Sequence, residues 1–232
     1  MIKFSARLLL VLLCAVGILS QASAQRYYRP TVDIGVKGGM TLSNIQFSPG
    51  VEQSMLQGME FGVAARYSEE KLFGLMAEIK LSQRGWKENF KETDFTYQRR
   101  LTYVELPIMT HINFGTKRFR GFVNLGPSVS YMLSSGITSS FDYTDPESVD
   151  GFPVSNRHLN QMKMDIKNRV DYGIVGGGGI EIRFHDRHSL MLEGRYYFGL
   201  GNIFPSAKKD EFSASRVTSV EISLAYMFRL KH

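Results

Sequence analysis

Val220-Glu221-Ile222-Ser223-Leu224-Ala225-Tyr226-Met227-Phe228-Arg229-Leu230 carries an apolar residue at every even position, while its odd positions read Glu, Ser, Ala, Met and Arg. Period two marks a β-strand, whose successive side chains point to opposite faces. The pattern recurs along the chain. Val32, Ile34, Val36 and Met40 oppose Asp33, Lys37 and Thr41, and Phe73, Leu75, Ala77, Ile79 and Leu81 oppose Met76, Glu78, Lys80 and Ser82. Val104, Leu106, Ile108, Ile112 and Phe114 oppose Glu105, His111 and Asn113. Strands are predicted at 31–41, 58–67, 72–82, 99–114, 120–133, 168–184, 188–199 and 216–230. Eight two-faced strands with no helix between them close on themselves as a barrel. A soluble barrel turns its apolar face inward and a membrane barrel turns it outward. Periodicity is the same in both cases, so the start of the chain decides.

That start reads as an export signal. Lys3 and Arg7 form a positive segment, Leu8–Leu19 is apolar, and Ala22-Ser23-Ala24 supplies a small-x-small cleavage site. The apolar stretch is short for a spanning helix. Residues 1–24 are expected to be removed between Ala24 and Gln25, leaving 25–232 as one barrel domain. Cys14 is the only cysteine and leaves with the signal, so disulfides and thiol chemistry are excluded. Leu13 before Cys14 is too large for a lipoprotein site. Later apolar runs are broken by Glu, Lys or Arg, whereas the strands approach the 9–11 residues that a membrane strand needs. The expected fold is all-β, an eight-stranded antiparallel up-and-down transmembrane barrel.

Connection lengths give the orientation. The segments 68–71, 115–119 and 185–187 are short, while 42–57, 83–98, 134–167 and 200–215 are long. Outer-membrane barrels have short periplasmic turns and longer outer loops. Both termini are therefore expected in the periplasm of an outer-membrane protein. Tyr67, Phe73, Trp86, Tyr97, Phe114, Phe119, Phe184, Tyr196 and Phe198 fall near strand ends and suit interfacial girdles. Pro107 lacks a ladder donor and predicts a bulge or local break.

Alternation also names the lumen. The inward acids are Asp33, Glu60, Glu78, Glu105, Asp171, Glu181, Glu193 and Glu221, and the inward bases are Lys37, Arg66, Lys80, Arg183, Arg195 and Arg229. An eight-stranded lumen is just wide enough for side chains to fill, and isolated buried charges are costly. Two readings stand: a packed ion-pair network that plugs the barrel, or a narrow conducting path lined by the same charges.

Three segments are similar to a known family: Ile34-Gly35-Val36-Lys37-Gly38-Gly39-Met40, Tyr103-Val104-Glu105-Leu106-Pro107-Ile108 and Gly173-Ile174-Val175-Gly176-Gly177-Gly178-Gly179-Ile180-Glu181. With the export signal, they resemble the PorT-like or "porin family" outer-membrane barrels of Bacteroidetes-type bacteria, over about residues 31–230. The namesake is implicated in secretion of proteases across the outer membrane, so the resemblance implies the barrel and an accessory role in envelope protein secretion. The ending Phe228-Arg229-Leu230-Lys231-His232 departs from the terminal aromatic common among such barrels.

Other chemistries find little support. No Gly-Lys-Ser/Thr follows the glycines at 176–179, which removes the phosphate-loop reading. His111, His185, His188 and His232 sit away from the outer loops, and Ser155 with His158 has no identified acid, so no enzyme and no cofactor are expected. The longest loop, 134–167, has an acidic half (Asp142, Asp145, Glu147, Asp150) without calcium-loop spacing and a basic half (Arg157, Lys163, Lys167), with Met162 and Met164 available for packing or protein contact. Removing Lys3 and Arg7 leaves 26 Lys and Arg against 22 Asp and Glu, a net charge of +4. The expected partners are outer-membrane lipid, lipopolysaccharide phosphates met by Lys87, Lys91, Arg157, Lys208 and Lys209, and other envelope proteins through the loops. Nucleic acid is not among them. A small passive channel is the alternative function.

Overall fold

A computed structural model describes residues 30–231, apart from 71, 91–92, 154–157, 186 and 208–209. The export signal and the Ala24-Gln25 junction lie outside the described residues, as do Lys91, Ser155, Arg157, Lys208, Lys209 and His232. The strands are β1 (Thr31–Ser48), β2 (Gln53–Ser54), β3 (Leu56–Ser68), β4 (Phe73–Glu88), β5 (Tyr97–Gly115), β6 (Phe119–Ser139), β7 (Val170–Phe184), β8 (His188–Gly199) and β9 (Ala214–Lys231). All neighbours pair antiparallel. The order β4-β3-β1-β9-β8-β7-β6-β5, with β4 also paired to β5, closes a ring of eight. The two-residue β2 only pads β4 at the rim, pairing Gln53 with Glu88 and Ser54 with Lys87.

The wall is inside-out relative to a soluble protein. Ile34, Val36, Phe61, Val63, Leu75, Ile79, Leu106, Leu125, Ile174, Leu192, Ile222 and Leu224 are all exposed, and together they form a continuous apolar belt. Such a belt is far larger than the apolar patches tolerated on a monomer in water. Its partner is lipid, where only a closed ring satisfies every backbone group. Tyr67, Phe73, Phe114, Phe119 and Phe184 ring the belt at the short-turn end. At the loop end the exposed rings are Tyr131, Tyr172 and Tyr196.

Two girdle assignments fail. Trp86 and Tyr97 are fully buried inside the barrel, and Phe198 is half-buried. Both errors share one cause with the strand ends, which run further than periodicity indicated: β1 to Ser48, β4 to Glu88, β5 from Tyr97 and β6 to Ser139. Above the belt the two faces exchange character. Ile45, Phe47, Trp86, Tyr97 and Leu101 point inward, while Gln46, Lys87 and Arg100 point outward and are exposed. Water surrounds this part of the wall, and apolar side chains fill its inside. The loops shrink accordingly, to 49–55 and 89–96 in the first two cases.

Pro107 breaks the ladder locally. Ala77 pairs with Ile108 and the next β4–β5 pair is Lys80 with Glu105, so the pairing skips the stretch around Pro107. The inward glycines of β7 make room for neighbours. A Cβ on Gly179 would stand 2.8 Å from the Phe122 ring, and one on Gly177 2.7 Å from Arg195 Cγ.

Candidate functional site

The inward charges lie in tiers along the lumen. At the short-turn mouth, Arg229 reaches Asp33 at 2.8 Å and Arg66 reaches Asp33 at 2.6 Å. Arg66 also crosses to Glu181 at 2.8 Å, which Arg183 meets at 3.2 Å. Arg183 and Arg229 are half-buried at this mouth, and the other twelve charges named from the sequence are buried. Next comes a polar layer in which His111 Nδ1 lies 2.7 Å from Asn124, whose amide donates to Glu193 at 2.5 Å.

Two hubs follow. Arg195 on β8 holds Glu78 on β4 with two bonds of 2.5 and 2.8 Å and lies 2.6 Å from Glu193. Lys37 stands between the same acids, 3.4 Å from Glu78, 3.5 Å from Glu193 and 3.8 Å from Glu60. Lys80 then ties Glu60 on β3 at 2.7 Å, Glu221 on β9 at 2.6 Å and Glu105 on β5 at 3.6 Å. Each cation serves carboxylates from different strands, so the network braces the wall across its own lumen.

The periodic reading missed Arg84, because it ended that strand at 82. Arg84 is fully buried, bonds Glu105 and lies 3.9 Å from the Tyr197 ring centre and 5.6 Å from that of Tyr103. Tyr197 in turn donates to Asp171 at 2.9 Å. A guanidinium stacked on aromatic faces while bonding a carboxylate is a strong arrangement in a dry interior. The signal was available: Arg84 keeps the inward parity of Lys80 and Ser82.

Above this tier an aromatic cap closes the loop end. Phe47, Trp86, Phe204 and Phe212 form one cluster, with Phe47 centroids 5.5 Å from Trp86 and 5.0 Å from Phe212. Tyr97 joins it and donates to Met162 O at 2.8 Å, and burial pushes its phenol pKa up. Phe204 and Phe212 come from the last loop and Met162 from the longest one, so two loops fold down over the mouth. A second cluster, Phe90, Phe95, Phe141 and Phe152, packs the loops to one another.

His158, paired in sequence with Ser155, has its Nδ1 3.8 Å from Glu211, an acid that spacing did not connect to it. Both side chains are about two-fifths exposed, and Ser155 lies outside the described residues. An exposed pair of this kind contributes little to stability.

A family model described as outer membrane protein beta-barrel domain matches residues 20–205. No curated protein matches the chain significantly. Among solved structures, the outer membrane protein W of E. coli is 12% identical over 88% of this chain and 100% of its own, with a TM-score of 0.49. Neisserial surface protein A is 11% identical over 87% and 99%, with a TM-score of 0.48. Outer membrane protein OprG from Pseudomonas aeruginosa is 12% identical over 86% and 96%, with a TM-score of 0.46. With a lipid-facing ring of eight strands and a family model over most of its length, this chain belongs to the outer-membrane β-barrel protein family and resides in the outer membrane.

Proposed function

We propose that the protein is a closed outer-membrane barrel that works through its loop end, as a structural or partner-binding element serving envelope protein secretion. The observation that carries this reading is the pairing of cations with carboxylates from different strands, above all Arg195 with Glu78 and Arg66 with Glu181. A lumen crossed by such braces and capped by Trp86 and Phe204 leaves the loops as the working surface. The PorT-like resemblance of the Tyr103–Ile108 segment supports the secretion role. Both termini and the three short turns face the periplasm, and the exposed Lys87 and Arg100 stand above the apolar belt, where lipopolysaccharide phosphates lie.

Planar-bilayer recording of the refolded, heat-modifiable protein tests closure directly. The expected result is no steady openings. Regular openings that shift when Glu181 or Arg195 is neutralised would establish the passive channel instead. In the host, deletion is expected to leave small-solute uptake unchanged while secreted proteases accumulate in the periplasm; normal secretion would remove the accessory role.

Export fixes the mature terminus. Cleavage between Ala24 and Gln25 is expected, and the intact mass of protein purified from outer membranes should correspond to residues 25–232. A mass that retains residues 1–24 would refute the signal.

A further inference from the structure

We propose that the loop-end segment of β6, residues 134–139, is a strand-addition site for an extended polypeptide segment with an acidic side chain. The inference rests on the partner-binding reading above and names the surface involved.

The site arises from uneven strand lengths. β6 and β7 part company after Tyr131 pairs with Val170, and the last bond between the two chain segments runs from Met132 N–H to Arg169 O at 2.7 Å. β6 continues to Ser139 beside β5 alone, from Thr102↔Ser134 to Tyr97↔Ser139. A register shift at Thr102/Tyr103 inserts Leu133 as an extra residue. Ser140 N–H carries the β5 ladder onward to Thr96 O at 3.0 Å. In an antiparallel ladder alternate residues bond the same neighbour. Residues 134, 136 and 138 therefore serve β5, and Ser135, Ile137 and Ser139 turn their backbone N–H and C=O groups to the open side.

The other protruding edges are covered by the chain itself, that of β4 by β2. On β1, beyond the Ser43↔Leu56 pair, the Gln53 amide accepts from Ile45 N–H at 3.1 Å and donates to Ile45 O at 2.6 Å, replacing a missing strand. On β9, beyond the Phe198↔Thr218 pair, Ile203 N–H bonds Ser215 O at 3.0 Å and Ser215 N–H bonds Asn202 Oδ1 at 2.9 Å. Among the described residues, 134–139 has no such cover. It also lacks the usual guards: Ser134-Ser135-Gly136-Ile137-Thr138-Ser139 holds no charge and no proline.

A groove of about 380 Å³ lies along this edge, lined by Ser135, Ile137, Ile166, Arg99, Asp165 and Arg169. Its far wall is fixed. Arg99 donates to Met164 O at 2.6 Å and to Ser135 Oγ at 3.0 Å, and Asn168 donates to Asn202 O at 2.7 Å. Two guanidinium groups against one carboxylate favour an acidic side chain, and Ile137 and Ile166 favour apolar neighbours at alternate positions. Added strands gain affinity from main-chain bonds and specificity from alternate side chains.

The test uses full-length protein in detergent micelles and fluorescent acetyl-Thr-Val-Glu-Val-Thr-Val-amide, read by anisotropy. Saturable binding is expected. N-methylation of alternate peptide residues, or Ile137→Pro in the protein, should weaken it by about tenfold or more, the scale of one or two lost hydrogen bonds to a strand. Replacing the peptide glutamate by lysine should weaken it too. No saturable binding, or binding indifferent to N-methylation, overturns the proposal without any need for the variant to fold. Disulfide dimers of Thr138→Cys that exclude the peptide overturn it in favour of a second copy. Bilayer openings from the same preparation would remove the closed-barrel reading but leave the peptide result intact, so the two failures are distinguishable.

Discussion

Replacing Lys80 by methionine is expected to destabilise the barrel by about 3–5 kcal/mol, the cost of stranding buried charges. The ammonium stands 2.7 Å from Glu60 and 2.6 Å from Glu221, with Glu105 at 3.6 Å. Methionine comes close to lysine in volume, is one atom shorter, and removes the charge together with the N–H donors to Glu60 and Glu221. Carboxylates from three strands then face each other at buried positions without the cation between them. The measurement is the temperature at which the folded form loses its anomalous gel mobility, together with the urea midpoint in micelles. A second variant separates charge from packing: Lys80→Met with Glu60→Gln and Glu221→Gln should recover most of the loss, because replacing a whole buried network is often neutral. A triple variant as unstable as the single one would show that Lys80 acts through shape and not through charge.

Trp86→Ala should produce an effect of similar size at the other level of the molecule. Truncating a fully buried tryptophan costs about 3–5 kcal/mol. Here the loss falls on the cap. Trp86 contacts Phe47 and Phe204 edge-on and lies beneath the Arg99 guanidinium. The loops 140–169 and 200–213 are anchored there through Met162, Phe204 and Phe212. Limited trypsin digestion of whole cells should cut the variant at Lys163 or Arg169 while the wild type resists, with strands below the cap intact in both. Equal resistance in both proteins would mean that the loops are held by the second phenylalanine cluster alone. Cleavage from outside would also bear on the proposed orientation.

The wall was legible because lipid imposes one rule on every strand. From Val220 to Leu230 each even residue faces out, and the same alternation, read strand by strand, places Asp33, Lys37, Glu78 and Lys80 inside. The rule fails where the solvent changes. Ile45 and Phe47 continue period two with the signs reversed, apolar inward and Gln46 outward, and a search for apolar-out strands stops before them. Arg84, Trp86 and Tyr97 were misplaced for that reason, the first omitted and the other two assigned to a membrane interface. Reading the period apart from its sign would have found all three. The cap partners Phe204 and Phe212 had no such signal. They sit in a connection without periodicity, and only the fold of the loop brings them over Trp86.

The ring is sealed by its first strand and its last. β1 and β9 pair from Val32↔Lys231 to Ser48↔Ala214, and the Asp33–Arg229 bond joins residues 196 apart in sequence. Non-local pairing of this kind is slow to form. Nothing resembling the finished ring exists until β9 is available to pair with β1, so the ring closes only after all of its strands have been made. A nonsense mutation removing only β9 would leave both β1 and β8 as bare edges, and its product should meet the envelope's proteases without reaching the membrane.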